Sequence, residues 1–473
     1  MFDFGILAKW AQDEPNGLAF ADDEYVLSFP QLNSLALKTA AHLTERGIVQ
    51  GDLVCVALPS YLEWSTTLAL HLLGAKTMSK IGPGGFNPEV FPDWLITLQL
   101  DPEVGIERTI IFDEALLATV VAGPEMKDAP GYSHGSDIVR FFSTSGTTGS
   151  RKYFAVTSDG LASLVGRSGK SDFAGEDPLL SLFPFAMGAN YLRALRALVA
   201  GKPYFTCSFR DYRLTKMLRK YPIRTLLGSP VQIANFLNLQ MHTDTQLPNL
   251  KTIVMSGSTP SSKLLARINS QIGCEVLNGY GSAEAGNVAI STITQESSIP
   301  GVINPAVTLQ IVDEANQILP AGAIGSIRYS REGMALSYYN NPEASAEYFR
   351  EGFFYPGDLG FIDTQGRLVL AGRSNEVINL GGVKVNPENV DEIAMAQLGV
   401  LDCAAFAIMS QSGVDQLALA LVTDKDFDLA LFKKTMENKS IYPPTLYFPT
   451  KSIPRNENGK ILREELRESV EKK

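Results

Sequence analysis

The chain has 473 residues, of which 45% are hydrophobic and 19% charged, and its formal net charge at pH 7 is −10. At about 100–200 residues per domain, this length predicts roughly two to four domains. The acidic balance argues against a nucleic-acid partner, because nucleic-acid-binding domains are usually basic. The four cysteines and four histidines are scattered, which excludes an obvious disulfide or zinc framework and predicts a reducing compartment.

The chain begins MFDFGILAKWAQDEPNG, with acidic residues early and no cationic segment followed by an apolar one. That pattern differs from a secretory signal peptide. Elsewhere no run approaches the roughly 18 apolar residues of a membrane span. We therefore expect a cytoplasmic protein without a membrane span.

Helical and strand-like patterns alternate along the first part of the chain. Apolar residues recur at helical spacing over 29–47, a short apolar run over 51–59 predicts a strand, and a second helix is predicted over 63–76. Strands that alternate with helices of this length are typical of an α/β architecture with a largely parallel sheet.

The middle of the chain repeats this alternation and predicts a second α/β sheet. Its predicted strands cover 177–185, 224–230, 251–258 and 274–277, and its predicted helices cover 191–201 and 260–273. From Gly301 the pattern changes to short alternating strands with turn dipeptides, which indicates an antiparallel β region.

Beyond Arg373 a new set of elements begins, with a helix over 386–399, two strands and a closing amphipathic helix. We therefore predict two domains, 1–373 and 374–473. The first is a large N-terminal domain of two α/β sheets plus a β region, and the second is a small α+β domain of normal size for an independent unit.

The segment STSGTTGSRK (143–152) follows the apolar run IVRFF. Its glycines allow close approach of backbone to a ligand, its serines and threonines offer hydroxyls, and Arg151 and Lys152 offer positive charge. These are the components of a phosphate-binding loop. The segment does not match a Walker A motif, because Lys152 does not directly follow Gly149. The alternative is a solvated turn.

Three further segments carry candidate groups. In NGYGSAEAG (278–286), two glycines flank Tyr280 and leave room for a flat ligand, and Glu284 could hold Mg²⁺ through oxygen. Asp358 and Arg373 lie among glycines and apolar strands, and Lys460 follows an Asn-Gly pair in NENGKILREEL. Taken singly, these residues are equally compatible with turns and solvated side chains.

Taken together and in this order, STSGTTGSRK, NGYGSAE, GD, GRSNEVINLGG and NGKILREEL resemble the adenylate-forming superfamily. This superfamily includes acyl- and aryl-CoA synthetases, luciferases and the adenylation domains of peptide synthetases. The resemblance extends over essentially the whole chain. Five ordered motifs are specific for the superfamily but much less so for the substrate.

The resemblance implies an ATP site. The Ser/Thr/Gly loop would hold the β- and γ-phosphates, Tyr280 would stack on adenine, and Asp358 would accept both ribose hydroxyls. The implied ATP-binding residues are Thr144, Ser145, Gly146, Thr147, Thr148, Gly149, Lys152, Asn278, Gly279, Tyr280, Gly281, Ser282, Asp358 and Arg373. The implied catalytic residues are Lys460, which would bridge the acid and the α-phosphate, and Glu284, which would hold Mg²⁺.

The resemblance also implies the reaction. A carboxylic acid and ATP would give an acyl-adenylate and pyrophosphate, and the acyl group would then pass to the thiol of CoA or of a carrier-protein phosphopantetheine. The small domain would be mobile about a hinge at Asn375, and Gly381, Gly382 and Lys384 would line the thiol channel. Asn375 departs from the Asp or Lys common at the hinge, and Ala283 replaces a common Thr.

The acid pocket is implied to contain seven residues: Phe185, Met187, Asn190, Gly228, Ser256, Gly257 and Gly281. No Asp lies between Asp177 and Asp211, which argues against an α-amino acid. Asn190 either hydrogen-bonds a ring hydroxyl of the acid or caps the following helix. Gly188 and Ala189 leave room for an uncharged flat or elongated acid.

We therefore expect an aryl or other non-amino acid as the substrate. The alternatives are a fatty or medium-chain acyl-CoA synthetase and an amino-acid-activating enzyme that loads a carrier protein. A monomer and a homodimer both remain open. Two other classes of protein are disfavoured. A silent adenylate-binding paralogue would usually have lost Glu284 or Lys460, and both are present. A phosphotransferase or NTP hydrolase would carry a Walker or kinase signature, which is absent from the sequence.

Overall fold

The structure is a computed structural model, and it describes most of the chain. The described residues are 1–80, 90–100, 106–144, 152–166, 178–207, 212–240, 247–257, 260, 262–293, 301–373, 378–380, 383–385, 387–409, 415–425, 427–439, 443–456 and 461–471. Among them, no helix combines the length and the apolar character that crossing a membrane would require.

The N-terminal region contains the first α/β sheet. Its elements are α1 (Ile6–Asp13), β1 (Leu18–Ala21), β2 (Val26–Ser28), α2 (Phe29–Glu45), β3 (Leu53–Ala57), α3 (Ser60–Leu72), β4 (Lys76–Ser79), β5 (Trp94–Thr97), β6 (Thr109–Ile111), α4 (Glu114–Ala122), β7 (Ile138–Thr144), β8 (Lys152–Thr157) and α5 (Ser158–Gly166). Six strands form a sheet in the order β6-β5-β3-β4-β7-β8. Its pairs are parallel except for β7 with β8.

The middle region contains the second α/β sheet. Its elements are β9 (Leu179–Ser181), α6 (Gly188–Val199), β10 (Tyr204–Thr206), α7 (Tyr212–Lys220), β11 (Thr225–Gly228), α8 (Pro230–Gln240), β12 (Thr252–Ser256), α9 (Ser262–Gln271), β13 (Glu275–Ser282), β14 (Gly286–Thr292) and β15 (Val302–Ile303). Nine strands form the order β15-β14-β13-β12-β11-β9-β10-β1-β2. The strands from β13 to β1 pair in parallel, which confirms the α/β fold class.

One strand of this sheet is longer than the sequence predicts. The pattern predicts a strand over 274–277 and then a turn, whereas β13 continues to Ser282 and pairs with β14. The strand can include the NGYGS segment because its neighbour β12 pairs with it as far as Ser256 and Gly279. The ladder hydrogen bonds thus override the weak strand propensity of glycine.

The predicted antiparallel β region follows. Its elements are β16 (Thr308–Val312), β17 (Gly325–Ser330), α10 (Pro342–Tyr348), β18 (Phe349–Arg350), β19 (Phe353–Phe354), β20 (Asp358–Ile362) and β21 (Leu368–Arg373). They form the order β18-β19-β17-β20-β21, with β16 paired to β17.

The last region is α+β, as predicted. Its elements are β22 (Ile378–Leu380), β23 (Val383–Val385), α11 (Pro387–Met395), β24 (Val400–Met409), β25 (Asp415–Thr423), α12 (Leu429–Lys439), β26 (Leu446–Pro449) and α13 (Arg463–Glu471). Two apolar clusters lie within this region, built around buried residues such as Cys403 and Phe406. The remaining clusters are formed by residues that precede Arg373.

A buried ion pair fixes the start of α13. The Arg463 guanidinium donates to Asp391 Oδ2 at 2.7 Å and to the Ala405 carbonyl at 2.6 Å. Both charged side chains are only 13% exposed. The helix begins three residues after the predicted catalytic residue Lys460.

We expect Arg463→Met to lower the free energy of unfolding of this region by about 3–5 kcal/mol, because it leaves the Asp391 carboxylate buried without its partner. Arg467→Met is the matched control on the same helix, since its contact with Glu464 is exposed, and it should cost at most about 1 kcal/mol. Denaturant unfolding measures both. Equal losses in the two variants would contradict this role of the Arg463 ion pair.

Candidate active site

The second sheet, the β region and the end of β7 enclose one cavity of about 510 Å³. It opens where β11, β12 and β13 end, at Leu227, Ser256 and Ser282. Parallel α/β sheets bind ligands at the carboxyl ends of their strands, and pockets of this volume accommodate small molecules.

The cavity collects residues from four motifs that are far apart in the sequence. The predicted site residues on its wall are Thr144, Lys152, Met187, Ser256, Gly257, Tyr280, Gly281, Ser282, Glu284, Asp358 and Arg373. The structure thereby brings the nucleotide motifs and part of the predicted acid pocket to one place.

Several predicted residues lie outside the described part of the chain. These are Ser145, Gly146, Thr147, Thr148, Gly149, Asn375, Gly381, Gly382 and Lys460, together with the side chain of Lys384 in β23. The residues on either side of the predicted phosphate loop are described. Thr144 at the end of β7 pairs with Lys152 at the start of β8.

Three residues of the predicted acid pocket are not on the wall of this cavity. Phe185 lies against Trp64 and lines a separate cavity of about 240 Å³. At Gly228, a Cβ would lie 3.1 Å from atoms of Leu182 and of Gln232, so this glycine serves close packing. The third residue is Asn190.

The helix-cap alternative for Asn190 is wrong, and its hydrogen bond to a ligand stays a prediction. The residue is 1% exposed, and its Nδ2 donates to the carbonyl of Phe183, a residue of the cavity wall, at 2.7 Å. The residue before α6 is Met187, and no side chain caps the helix there. The predicted ATP-binding residues Asn278 and Gly279 likewise lie within β13, outside the cavity lining.

One end of the cavity contains a buried carboxylate with two donors. Tyr280 Oη donates to Asp358 Oδ2 at 2.6 Å, and Arg373 Nε lies 3.1 Å from Asp358 Oδ1. This arrangement follows from strand pairing, because Asp358 and Arg373 are directly opposite each other in β20 and β21. Burial raises the pKa of Tyr280, which keeps its hydroxyl protonated as a donor.

The second buried carboxylate is Glu284, in the turn between β13 and β14, with 7% exposure. Tyr338 Oη donates to Glu284 Oε1 at 2.6 Å. Burial raises the pKa of Glu284, while the Tyr338 hydrogen bond and the nearby Lys152 charge lower it. Lys152 Nζ lies 3.8 Å from the centre of the Tyr348 ring.

Sequence reasoning missed Tyr338 and Tyr348, although both line the cavity. They belong to SYYNNPEASAEYF, in which Tyr338 precedes α10 and Tyr348 is the last residue of α10. The only available signal was the density of aromatic residues, because their contacts with Glu284 and Lys152 are long-range.

Glu284 has the chemistry of a ligand for a metal ion that is shared with phosphates. Among the described residues, no group of three or more His, Cys, Asp or Glu side chains is placed to hold an ion. Mg²⁺ commonly takes one or two carboxylates together with substrate phosphates. Glu284 fits that mode, because it is a buried carboxylate on the same cavity wall as Lys152 and Thr144.

Gly281 is required by a close approach between β13 and β14. A Cβ there would lie 2.1 Å from the carbonyl oxygen of Gly286, which belongs to the backbone and cannot rotate away. The sequence predicts that the glycines beside Tyr280 leave room for a flat ligand, and Gly281 lies on the cavity wall. This glycine also lets the strand pair close tightly beside Glu284.

We expect Gly281→Ala to destabilise the protein by about 1–3 kcal/mol or more, because the strand pair must separate to fit the methyl group. Gly166→Ala is the control, since nothing lies within 4 Å of a Cβ at the end of α5. Thermal unfolding and ATP binding measure both variants. A Gly281→Ala protein as stable as the control would rule out the close approach.

Comparisons with known proteins agree with this geometry. The family model described as AMP-binding enzyme matches residues 96–339. The chain therefore belongs to the AMP-binding enzyme family, which confirms the predicted adenylate-forming superfamily and its acid–thiol ligase class.

Three similar proteins illustrate the range of the family. A 4-chlorobenzoate–CoA ligase from Arthrobacter is 23% identical, with 98% of this chain and 94% of the relative covered. An oxalate–CoA ligase from Arabidopsis thaliana is 25% identical, with 97% and 96% covered. The structure of ATP-bound MatB from Rhodopseudomonas palustris is similar with a TM-score of 0.84 at 21% identity, covering 99% of each chain.

Proposed function

We propose that this enzyme activates a carboxylic acid with ATP, releases pyrophosphate and transfers the acyl group to the thiol of CoA. The observation that carries the proposal is the single cavity lined by Lys152, Tyr280, Glu284, Asp358 and Arg373. The CoA ligases among its relatives support CoA as the acceptor. A carrier-protein phosphopantetheine is the alternative acceptor.

In the first half-reaction, an oxygen of the acid attacks the α-phosphorus, the bond from that phosphorus to the bridging oxygen breaks, and pyrophosphate leaves. Tyr280 packs against adenine, and Asp358 accepts the ribose hydroxyls, held in orientation by Arg373 at 3.1 Å. Both reactants are anions, so positive charge is needed where they meet. Lys152 and Lys460 provide it from the protein.

Glu284 would hold Mg²⁺, which would supply positive charge to neutralise the phosphates. The Tyr338 hydroxyl orients the Glu284 carboxylate through its 2.6 Å hydrogen bond. Both residues are largely buried, which limits the freedom of the carboxylate to turn away. No histidine base is required, in agreement with the four scattered histidines.

In the second half-reaction, the thiolate attacks the acyl carbonyl carbon and AMP leaves. We place the domain boundary at 373/374, with Asn375 as the hinge and Gly381, Gly382 and Lys384 along the thiol channel. The separate apolar clusters of the last region support this division. The cytoplasmic location and the choice between monomer and homodimer stay predictions.

For the acid, we propose an aryl or other non-amino acid. No acidic side chain lies on the part of α6 that lines the cavity, so no carboxylate there is available to pair an α-amino group. The 4-chlorobenzoate ligase among the relatives supports an aryl acid, and the oxalate ligase supports a different, non-aryl class.

The test is pyrophosphate release from ATP with a panel of aryl, fatty, dicarboxylic and amino acids, with and without CoA. We expect release to depend on the acid and to rise further with CoA. Release with amino acids alone would overturn the proposed acid class. ATP binding without release for any acid would instead indicate a silent adenylate-binding protein.

A further inference from the structure

One face of α6 forms a wall of the cavity. Its residues Ala189, Leu192, Arg193 and Arg196 all line the cavity. Their spacing of three, four and seven residues places them on one side of a helix. The wall is therefore small and apolar near the start of α6 and carries two guanidinium groups further along.

The two arginines lie well beyond the start of the helix. At 1.5 Å per residue, Arg193 and Arg196 are roughly 8 Å and 12 Å along the helix axis from Gly188. Arg196 Nη2 donates to the Leu164 carbonyl at 2.8 Å, which fixes its guanidinium at the edge of the cavity. Leu164 itself lines the cavity.

The surroundings of these arginines differ from the nucleotide end. Asp358, Arg373 and Tyr280 come from β20, β21 and β13, whereas the α6 wall continues into Phe183 and Met187. An apolar surface that leads to two arginine side chains suits a ligand with a hydrocarbon or aryl body and an anionic group at its far end. Guanidinium groups bind carboxylates through short, charge-assisted hydrogen bonds.

The overall charge of the cavity agrees with an anionic ligand. Its described lining contains six Lys or Arg residues and three Asp or Glu residues. The whole chain has the opposite balance, with 41 basic and 51 acidic residues. Positive charge is thus concentrated in this cavity.

We propose that the acid activated by this enzyme carries a second anionic group, a distal carboxylate in the simplest case, and that Arg193 and Arg196 bind it. The expected substrate is a dicarboxylic acid whose apolar or aryl spacer lies along Leu192. This inference rests on the proposed function and narrows its substrate class. It also revises the expectation of an uncharged acid, because Gly188 and Ala189 describe only the near part of the wall.

The test compares dicarboxylic acids with monocarboxylic acids of the same length, using pyrophosphate release by the full-length enzyme. The diacids should have the higher kcat/KM, and Arg193→Met should reduce the diacid-to-monoacid ratio about 10- to 100-fold, as expected for a lost hydrogen bond to a charged group. Arg193→Lys should restore part of the ratio. Arg219→Met, on the exposed side of α7, should leave the ratio unchanged.

Two results would overturn the proposal. One is a wild-type preference for monoacids. The other is an Arg193→Met variant whose KM rises for ATP while the acid ratio stays constant, which would assign the arginines to nucleotide phosphates.

A second readout separates this inference from the proposed function. Diacids, and not monoacids, should raise the Tm of the wild-type enzyme in the presence of a non-hydrolysable ATP analogue, and Arg193→Met should lose the shift. If the shift occurs without any pyrophosphate release, the diacid site stands and the proposed function fails. If pyrophosphate release occurs equally with both acid types and no Tm shift is seen, the proposed function stands and the diacid site is wrong.

Discussion

Replacing Glu284 with glutamine is expected to reduce adenylation about 10²–10³-fold, the loss typical of removing one electrostatic stabiliser of the transition state. Glutamine keeps the shape of the side chain and its contact with Tyr338, so the variant removes charge and little else. The apparent affinity for Mg²⁺, measured by titration in the presence of ATP, should fall in parallel.

Glu347→Gln is the matched control, because Glu347 is another carboxylate on the same cavity wall. It should retain most of the activity and the Mg²⁺ response of the wild type. If Glu284→Gln kept a normal Mg²⁺ titration, the assignment of the metal to Glu284 would be wrong.

The same carboxylate gives the Mg²⁺ response a pH dependence. Burial raises the pKa of Glu284, and only the ionised form holds the metal, so Mg²⁺ affinity should increase as pH rises through that pKa. The Tyr338 hydrogen bond lowers the pKa. Tyr338→Phe should therefore move the midpoint to higher pH, and a shift to lower pH would contradict the proposed contact.

Replacing Lys460 with alanine is expected to reduce adenylation about 10²–10³-fold as well, because it removes positive charge where two anions meet. ATP binding and thioester formation from a preformed adenylate should remain, since the lysine acts only in the first half-reaction. Single-turnover measurements of the two half-reactions separate these effects.

Lys451→Ala is the control for that experiment, since Lys451 is an exposed lysine of the same region. It should leave both half-reactions near their wild-type rates. Equal losses in both half-reactions of Lys460→Ala would mean that the lysine supports the fold of the region, and an unimpaired first half-reaction would exclude its catalytic role.

The sequence was most informative where structure is local. The predicted helix over 29–47 corresponds to α2. Each of its signals acts through contacts between residues close in sequence: the apolar spacing, the capping box at Ser28 and the end of the helix at Gly47. The two α/β sheets and the antiparallel region were predictable for the same reason. The motif that contains Tyr280 and Glu284 was also visible, because a glycine-rich segment directly follows a predicted strand.

Features that depend on distant contacts were not predictable. Asn190 has the residue type and position of a helix cap or ligand donor, yet its amide bonds the Phe183 backbone. Tyr338 meets Glu284 from 54 residues away. Arg193 and Arg196 stand among apolar residues in the sequence, and only the folded cavity shows that they share a wall with Leu192.

The central claim is that an oxygen of the acid attacks the α-phosphorus of ATP, and isotope transfer tests it most directly. The enzyme is incubated with ATP, CoA and an active acid whose carboxylate is labelled with heavy oxygen. The account predicts one labelled oxygen in the AMP that is released, with pyrophosphate unlabelled. Label in inorganic phosphate, together with ADP, would indicate an acyl phosphate and would contradict the adenylate mechanism.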